Sequence, residues 1–261
     1  MDTIELLNIR QWVAKYGKTF HSLDEDTQRN IALKESHTLR VAANMLSIAG
    51  TVLRNRSKVM MAEAIGLLHD IGRFPQYAQY RTFRDSISVN HGRLGAEVIE
   101  NENILIGIPA NERKMIMDAV RFHNAPSVPG DLDAETIFFL KMIRDADKLD
   151  IWRVFAEYYA KPAEERESAV GLGLPDTPQY TEAVLACLAK GTVASLSSLN
   201  TLNDFKIMQF TWVYDLNFPV SFRLAGNQGN IDRIISTLPN TDYIKDAIAK
   251  LKRYMRDRAQ G

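Results

Sequence analysis

Leu67-Leu68-His69-Asp70-Ile71-Gly72 decides the fold of this chain, because an apolar helical pattern ends there on two adjacent side chains that bind cations. Ala62, Ile65 and Gly66 precede His69 by seven, four and three residues, which puts the imidazole on the apolar face of a helix. Outward from this stretch the same relation recurs. His37 has Leu33 and Val41 four residues to either side, His91 precedes Leu94, Gly95 and Val98, and His123 follows Ile116, Ala119 and Val120, all at helical spacing. Asp147 follows Leu140 and Ile143 by seven and four residues. Asp145 is turned about 160 to 200° away, at ~100° per residue, so Asp147 is the inward carboxylate. Burying Asp70 and Asp147 as ions is strongly unfavourable unless each meets a cation. Imidazoles and carboxylates together are the ligands that divalent transition metals prefer, and six such groups are enough for two ions. Their separations, roughly 20 to 30 residues, are too long for a zinc finger and suit one ligand per helix of a bundle.

The rest of the pattern predicts an all-α protein. Leu6, Ile9, Val13 and Tyr16 mark a short helix stopping near Gly17, and Ser22 with Glu25 predicts a capping box for a long helix to about Gly50. Ser57 is the expected cap of the next helix, which is read to Gly72 with Asp70 in its last turn. Further helices are expected at about 90–103, 111–123 and 133–160, the last capped by Asp133, and no strand alternation or internal repeat is visible. Between Asp70 and His91, a segment containing Arg73, Phe74, Tyr77, Tyr80, Arg81, Phe83, Arg84, Asp85 and Ser86 reads as a lid loop. Its guanidinium groups suit phosphate oxygens, and its aromatics suit a base or sugar. Arg73, closest in sequence to His69-Asp70, is the leading substrate contact; Arg40, one turn beyond His37, is the second, and Arg84 is a further candidate. Lys148, next to Asp147, is explained by solvent exposure or by a weaker phosphate contact. His21 carries no inward pattern.

His37, His69-Asp70 and Asp147 resemble the H...HD...D signature of the HD superfamily of metal-dependent phosphohydrolases, over roughly residues 30–155. His91 and His123 extend the resemblance to members with two metals, although many of those have lysine where this chain has Arg73. The resemblance implies a helical bundle of the HD-domain type, with a first ion held by His37, His69, Asp70 and Asp147. Asp70 would bridge to a second ion held by His91 and His123, the ions being Mn, Fe, Co, Ni or Mg. It also implies hydrolysis of a phosphoester, in a small nucleotide or related metabolite, by a metal-activated water, with Asp70, Arg73 and Lys148 as catalytic candidates. Some relatives with the same six ligands resemble myo-inositol oxygenase, so a di-iron oxygenase acting on a polyol or phosphonate is the alternative.

Composition fits a cytoplasmic enzyme without choosing a substrate; a small phosphorylated one is what the resemblance implies. The chain has 261 residues, 46% of them hydrophobic, enough for a sizeable core, and its 32 basic and 32 acidic residues balance. Net charge therefore gives no support to nucleic-acid or membrane binding. Cys187 is the only cysteine, which excludes an internal disulfide. The N-terminus lacks the pattern of a signal peptide, and no apolar run is long enough to cross a bilayer. The expected organisation is an N-terminal helical segment (1–29), the metal-binding core (30–155) and a C-terminal helical extension (156–261). In the extension, the stretch Gly171 to Pro178 reads as a loop and Ser195 to Ser198 as a connection. Phe205, Met208, Trp212 and Leu216, and then Ile244, Ile248, Leu251 and Met255, recur at helical spacing. This part is expected to pack on the core, to shape the pocket or to make a homodimer.

Overall fold

The computed structural model describes residues 1–260, which are helical with no strand among them. The chain divides into two units, Met1–Asp150 with Glu167–Val170, and Ile151–Arg166 with the chain from Gly171. The first unit contains α1 (Thr3–Lys18), α2 (Glu25–Val52), α3 (Arg56–Leu68), α4 (Arg73–Tyr80), α5 (His91–Asn101), α6 (Ala110–Phe122) and the greater part of α7 (Ala134–Ala160). The last turns of α7 belong to the second unit, followed by α8 (Glu182–Lys190), α9 (Leu202–Thr211), α10 (Pro219–Gln228), α11 (Asn230–Ile235) and α12 (Asp242–Ala259). No described helix is long and apolar enough to cross a membrane.

In the first unit α2 and α3 lie side by side, and α3 also packs on α1 and α6. The apolar stripes that the periodicity picks out meet here: Val41, Met45 and Ile48 from α2, Ala62, Ile65 and Leu68 from α3, Ile116 and Val120 from α6, all buried. Gly66 makes the α2–α3 approach close, since a β-carbon there would stand 2.7 Å from Ala42 Cα. That contact sets His37 and His69 on facing helices.

Three local readings are corrected. Asp24, not Ser22, caps α2 by accepting a hydrogen bond from the Thr27 amide at 2.8 Å. Asn55, not Ser57, caps α3, and Ser57 Oγ instead accepts from the N-terminal amine at 2.8 Å. Helix α3 ends at Leu68, with His69 as its C-cap and Asp70 in the turn that follows. Asp133 does cap α7, accepting from the Thr136 amide at 2.9 Å.

The expected lid loop is likewise different. Residues 73–80 form α4, with Phe74, Gln76 and Tyr77 buried, and Asp85–Ile87 add a 3₁₀ turn. Pro75 lies in the first turn of α4, where a helix needs no N–H, so proline does not oppose it. Phe74 packs against Tyr16 and Phe20, and Tyr77 hydroxyl accepts from Asn30 Nδ2 at 3.2 Å.

In the second unit Phe205, Met208 and Leu216 are buried, and Trp212 is half-buried. Helix α9 is buried from Asn203 through Thr211. Ile244, Ile248, Leu251 and Met255 form the buried face of α12. Gly171 to Pro178 contains no helix, as its glycines and prolines require.

Candidate metal centre

Six side chains converge from five helices. His37 sits mid-way along α2, His69 and His123 cap the C-termini of α3 and α6, His91 opens α5, and Asp147 comes from α7. Asp70 occupies the turn after α3. Helix ends serve this purpose because their last carbonyls lack helical partners. His69 Nδ1 donates to Gly66 O at 2.8 Å, and His123 Nδ1 donates to Val120 O at 2.7 Å, each three residues back. His37 Nδ1 donates to Asp150 Oδ2 and His91 Nδ1 to Asp85 Oδ2, both at 2.7 Å. These partners fix the ring orientations and place the Nδ1 proton on the outer side of every ring.

The Nε2 atoms therefore point inward with their lone pairs. His91 Nε2 lies 3.0 Å from His123 Nε2, and His37 Nε2 lies 3.4 Å from His69 Nε2. Two lone pairs at such distances repel unless a cation lies between the rings. Burial keeps these imidazoles neutral: it lowers His69, takes His91 down to about 3 and His123 down to about 4. His37 runs the other way. Burial and Lys34 disfavour its charged form, yet hydrogen bonds to Asp147 and Asp150 prevail and raise its pKa, so a positive charge is favoured at that spot.

Asp70 divides the cluster between its two oxygens. Oδ2 faces His37 Nε2 at 3.5 Å and His69 Nε2 at 3.8 Å, while Oδ1 faces His91 Nε2 at 3.4 Å and His123 Nε2 at 3.8 Å. Asp147 Oδ1 closes the first side, 3.1 Å from His37 Nε2. The groups His37–His69–Asp70, His69–His123–Asp147 and Asp70–His91–His123 each bring one ligand atom per residue within 4.8 Å of the others. This donor set of imidazole nitrogens and carboxylate oxygens fits divalent metal ions. Burial opposes the Asp70 charge, but Lys34 and Arg73 outweigh it and hold the carboxyl well below its usual range. Asp147 is held down chiefly by its hydrogen bond with His37 against the same burial. The cluster opens on the Asp147 side, whose side chain is 20% exposed against 4% for Asp70.

The other expected residues lie apart from this shell. Arg73 borders it, with Nε 3.4 Å from Asp70 Oδ1, but its Nη1 is bound to Gln76, Phe83 O and Asp85. Arg40 and Arg84 are exposed. Lys148 Nζ donates to Arg144 O at 3.2 Å. Asp145 is buried outside the three ligand groups. Sequence reasoning missed Lys34, Asp85 and Asp150 as partners of the ligands. Lys34 and Asp150 each stand three residues from a ligand on the same helix, a spacing that shares a face and marks them in the sequence.

These shifts make the metal-free protein acid-sensitive. His91 and His123 bind protons less readily folded than unfolded, so their contribution is fully present above pH ~6.5 and is lost as pH falls toward 4 and then 3. Asp70, Asp85 and Asp147, also depressed, lose theirs in the same direction at lower pH. His37 has the opposite sign and offsets one imidazole. We expect the thermal midpoint in chelator to fall by roughly 10 °C between pH 7 and pH 5. Calorimetry showing an unchanged midpoint would contradict this charge assignment.

No curated protein and no solved structure gives a significant match to this chain. The family model of the HD domain matches residues 35–152, a span that takes in all six converging side chains and somewhat under half of the sequence. The all-α fold, the His69-Asp70 turn and the buried imidazole–carboxylate cluster agree with that match, and this stretch of the chain is an HD domain.

Proposed function

We propose that this chain is a phosphohydrolase that uses two divalent metal ions to hydrolyse a phosphoester of a small nucleotide or related metabolite. The carrying observation is the division of Asp70, whose two oxygens face separate imidazole pairs as a bridging ligand would. Bound divalent ions supply Lewis acidity, polarising a phosphoryl oxygen and acidifying water to near-neutral pKa. The chain's own residues do the remaining work. Four outer hydrogen bonds keep each imidazole in the tautomer with Nε2 free to bind. Asp70 and Asp147 stay ionised at neutral pH because of their neighbours. Burial of the four rings keeps bulk water from competing for the ligand atoms, leaving the Asp147 side for entry of substrate. Lys34 and Arg73 flank Asp70 and favour an anionic ligand over a neutral polyol.

The test is a screen of nucleoside mono-, di- and triphosphates, cyclic nucleotides and simple phosphomonoesters with Mn²⁺, Co²⁺, Ni²⁺, Fe²⁺ or Mg²⁺. At least one pairing should release phosphate or a nucleotide product, and Asp70→Ala should abolish it. If all remain intact while the iron-loaded protein consumes oxygen with a polyol or a phosphonate, the oxygenase replaces the hydrolase.

A further inference from the structure

We infer that Lys34, rather than Arg73, is the cation that receives the substrate's phosphoryl oxygens; the inference rests on the phosphohydrolase reading above. The two cations touch opposite oxygens of Asp70, Lys34 Nζ at 2.7 Å from Oδ2 and Arg73 Nε at 3.4 Å from Oδ1. Both also lie over the Phe83 ring, at 5.0 and 5.8 Å from its centre. Their freedom differs. Arg73 Nη1 is surrounded by Gln76 Oε1 at 2.9 Å, Phe83 O at 2.6 Å and Asp85 Oδ1 at 3.0 Å. Asp85 in turn holds His91, so turning the guanidinium toward a ligand would disturb the network that orients a metal-binding ring. Arg73 is thus a positioning residue.

Among the described residues, the ammonium of Lys34 makes one hydrogen bond, to Asp70, so two of its three N–H groups are left to donate. Its side chain is 12% exposed, close to the 15% of Arg73, so access does not separate the two cations and the hydrogen bonds at Arg73 Nη1 do. The stem is fixed on α2 three residues before His37, so the charge is delivered from a rigid element. With Asp70 committed to divalent ions, the ammonium needs a second counter-charge, and a phosphoryl oxygen drawn to those ions supplies it. Arg40 and Arg84, exposed at the surface, have no comparable anchor to the cluster.

Inorganic phosphate is the probe, titrated by calorimetry into manganese-loaded protein. Lys34→Met keeps the stem and removes the charge, and should weaken phosphate binding at least tenfold without lowering manganese content. Lys34→Arg, which restores the charge, should recover most of the affinity. Phosphate affinity within twofold of wild type in Lys34→Met overturns the inference, and equal losses in both variants mark a structural role and overturn it too. If wild type hydrolyses phosphoesters and Lys34→Met binds phosphate normally, only the role of Lys34 falls. If wild type neither binds phosphate nor hydrolyses any ester, the phosphohydrolase reading falls with it.

Discussion

Asp70→Ala is expected to strip the protein of metal and to reduce turnover at least a thousandfold. The substitution removes the carboxylate that both imidazole pairs share, and it leaves Lys34 and Arg73 facing the cluster without the anion that balances them. Elemental analysis should fall from about two ions per chain to fewer than one half. His123→Ala leaves the His37–His69–Asp70 group intact and is expected to retain about one ion. Wild-type metal content in Asp70→Ala would sink the assignment of the centre.

Gly72→Ala is expected to be nearly as damaging, though it replaces no ligand. A β-carbon at this position would collide with the backbone carbonyl of His91 and stand 2.5 Å from the Gly95 amide. Both obstacles are main-chain atoms in the first five residues of α5, so relief requires moving the helix that begins with His91. We expect a loss of about 3 kcal/mol, a thermal midpoint lower by roughly 10 °C, and occupancy of the His91–His123 side lost first. A midpoint within 2 °C of wild type, at full metal content, would show that α5 is not anchored by this contact.

What the sequence reveals depends on whether a residue's task is written in its own helical period. His37, His69, His91, His123 and Asp147 each carry an apolar stripe around them, so their convergence is legible before any coordinates. Asp145 and Asp147 are separated by rotation alone, and the three ligand groups include Asp147 but not Asp145. The segment after Asp70 is different. Pro75 and a mixture of cations and aromatics hide a two-turn helix whose apolar residues pack on α1 and α2, elements distant in sequence. Nearness in sequence to His69-Asp70 likewise favours Arg73, and leaves Lys34 unconsidered. Whether a cation is tied down by Phe83 O and Gln76, or held by a single carboxylate, is decided by tertiary contacts that no local pattern records. Caps fail for a similar reason: Ser22, Asp24, Asn55 and Ser57 are all competent, and small differences in backbone path choose between neighbours.

The four outward imidazole protons have one more consequence. Each ends on a carbonyl or carboxylate in a buried ring system, two on the His37–His69 side and two on the His91–His123 side. Protons held in this way exchange slowly with solvent and resonate outside the crowded amide region of a magnetic-resonance spectrum. The centre therefore contains its own probes, grouped in two pairs. Titrating a diamagnetic ion while following those lines gives the order in which the two sides fill, in solution and without a substrate.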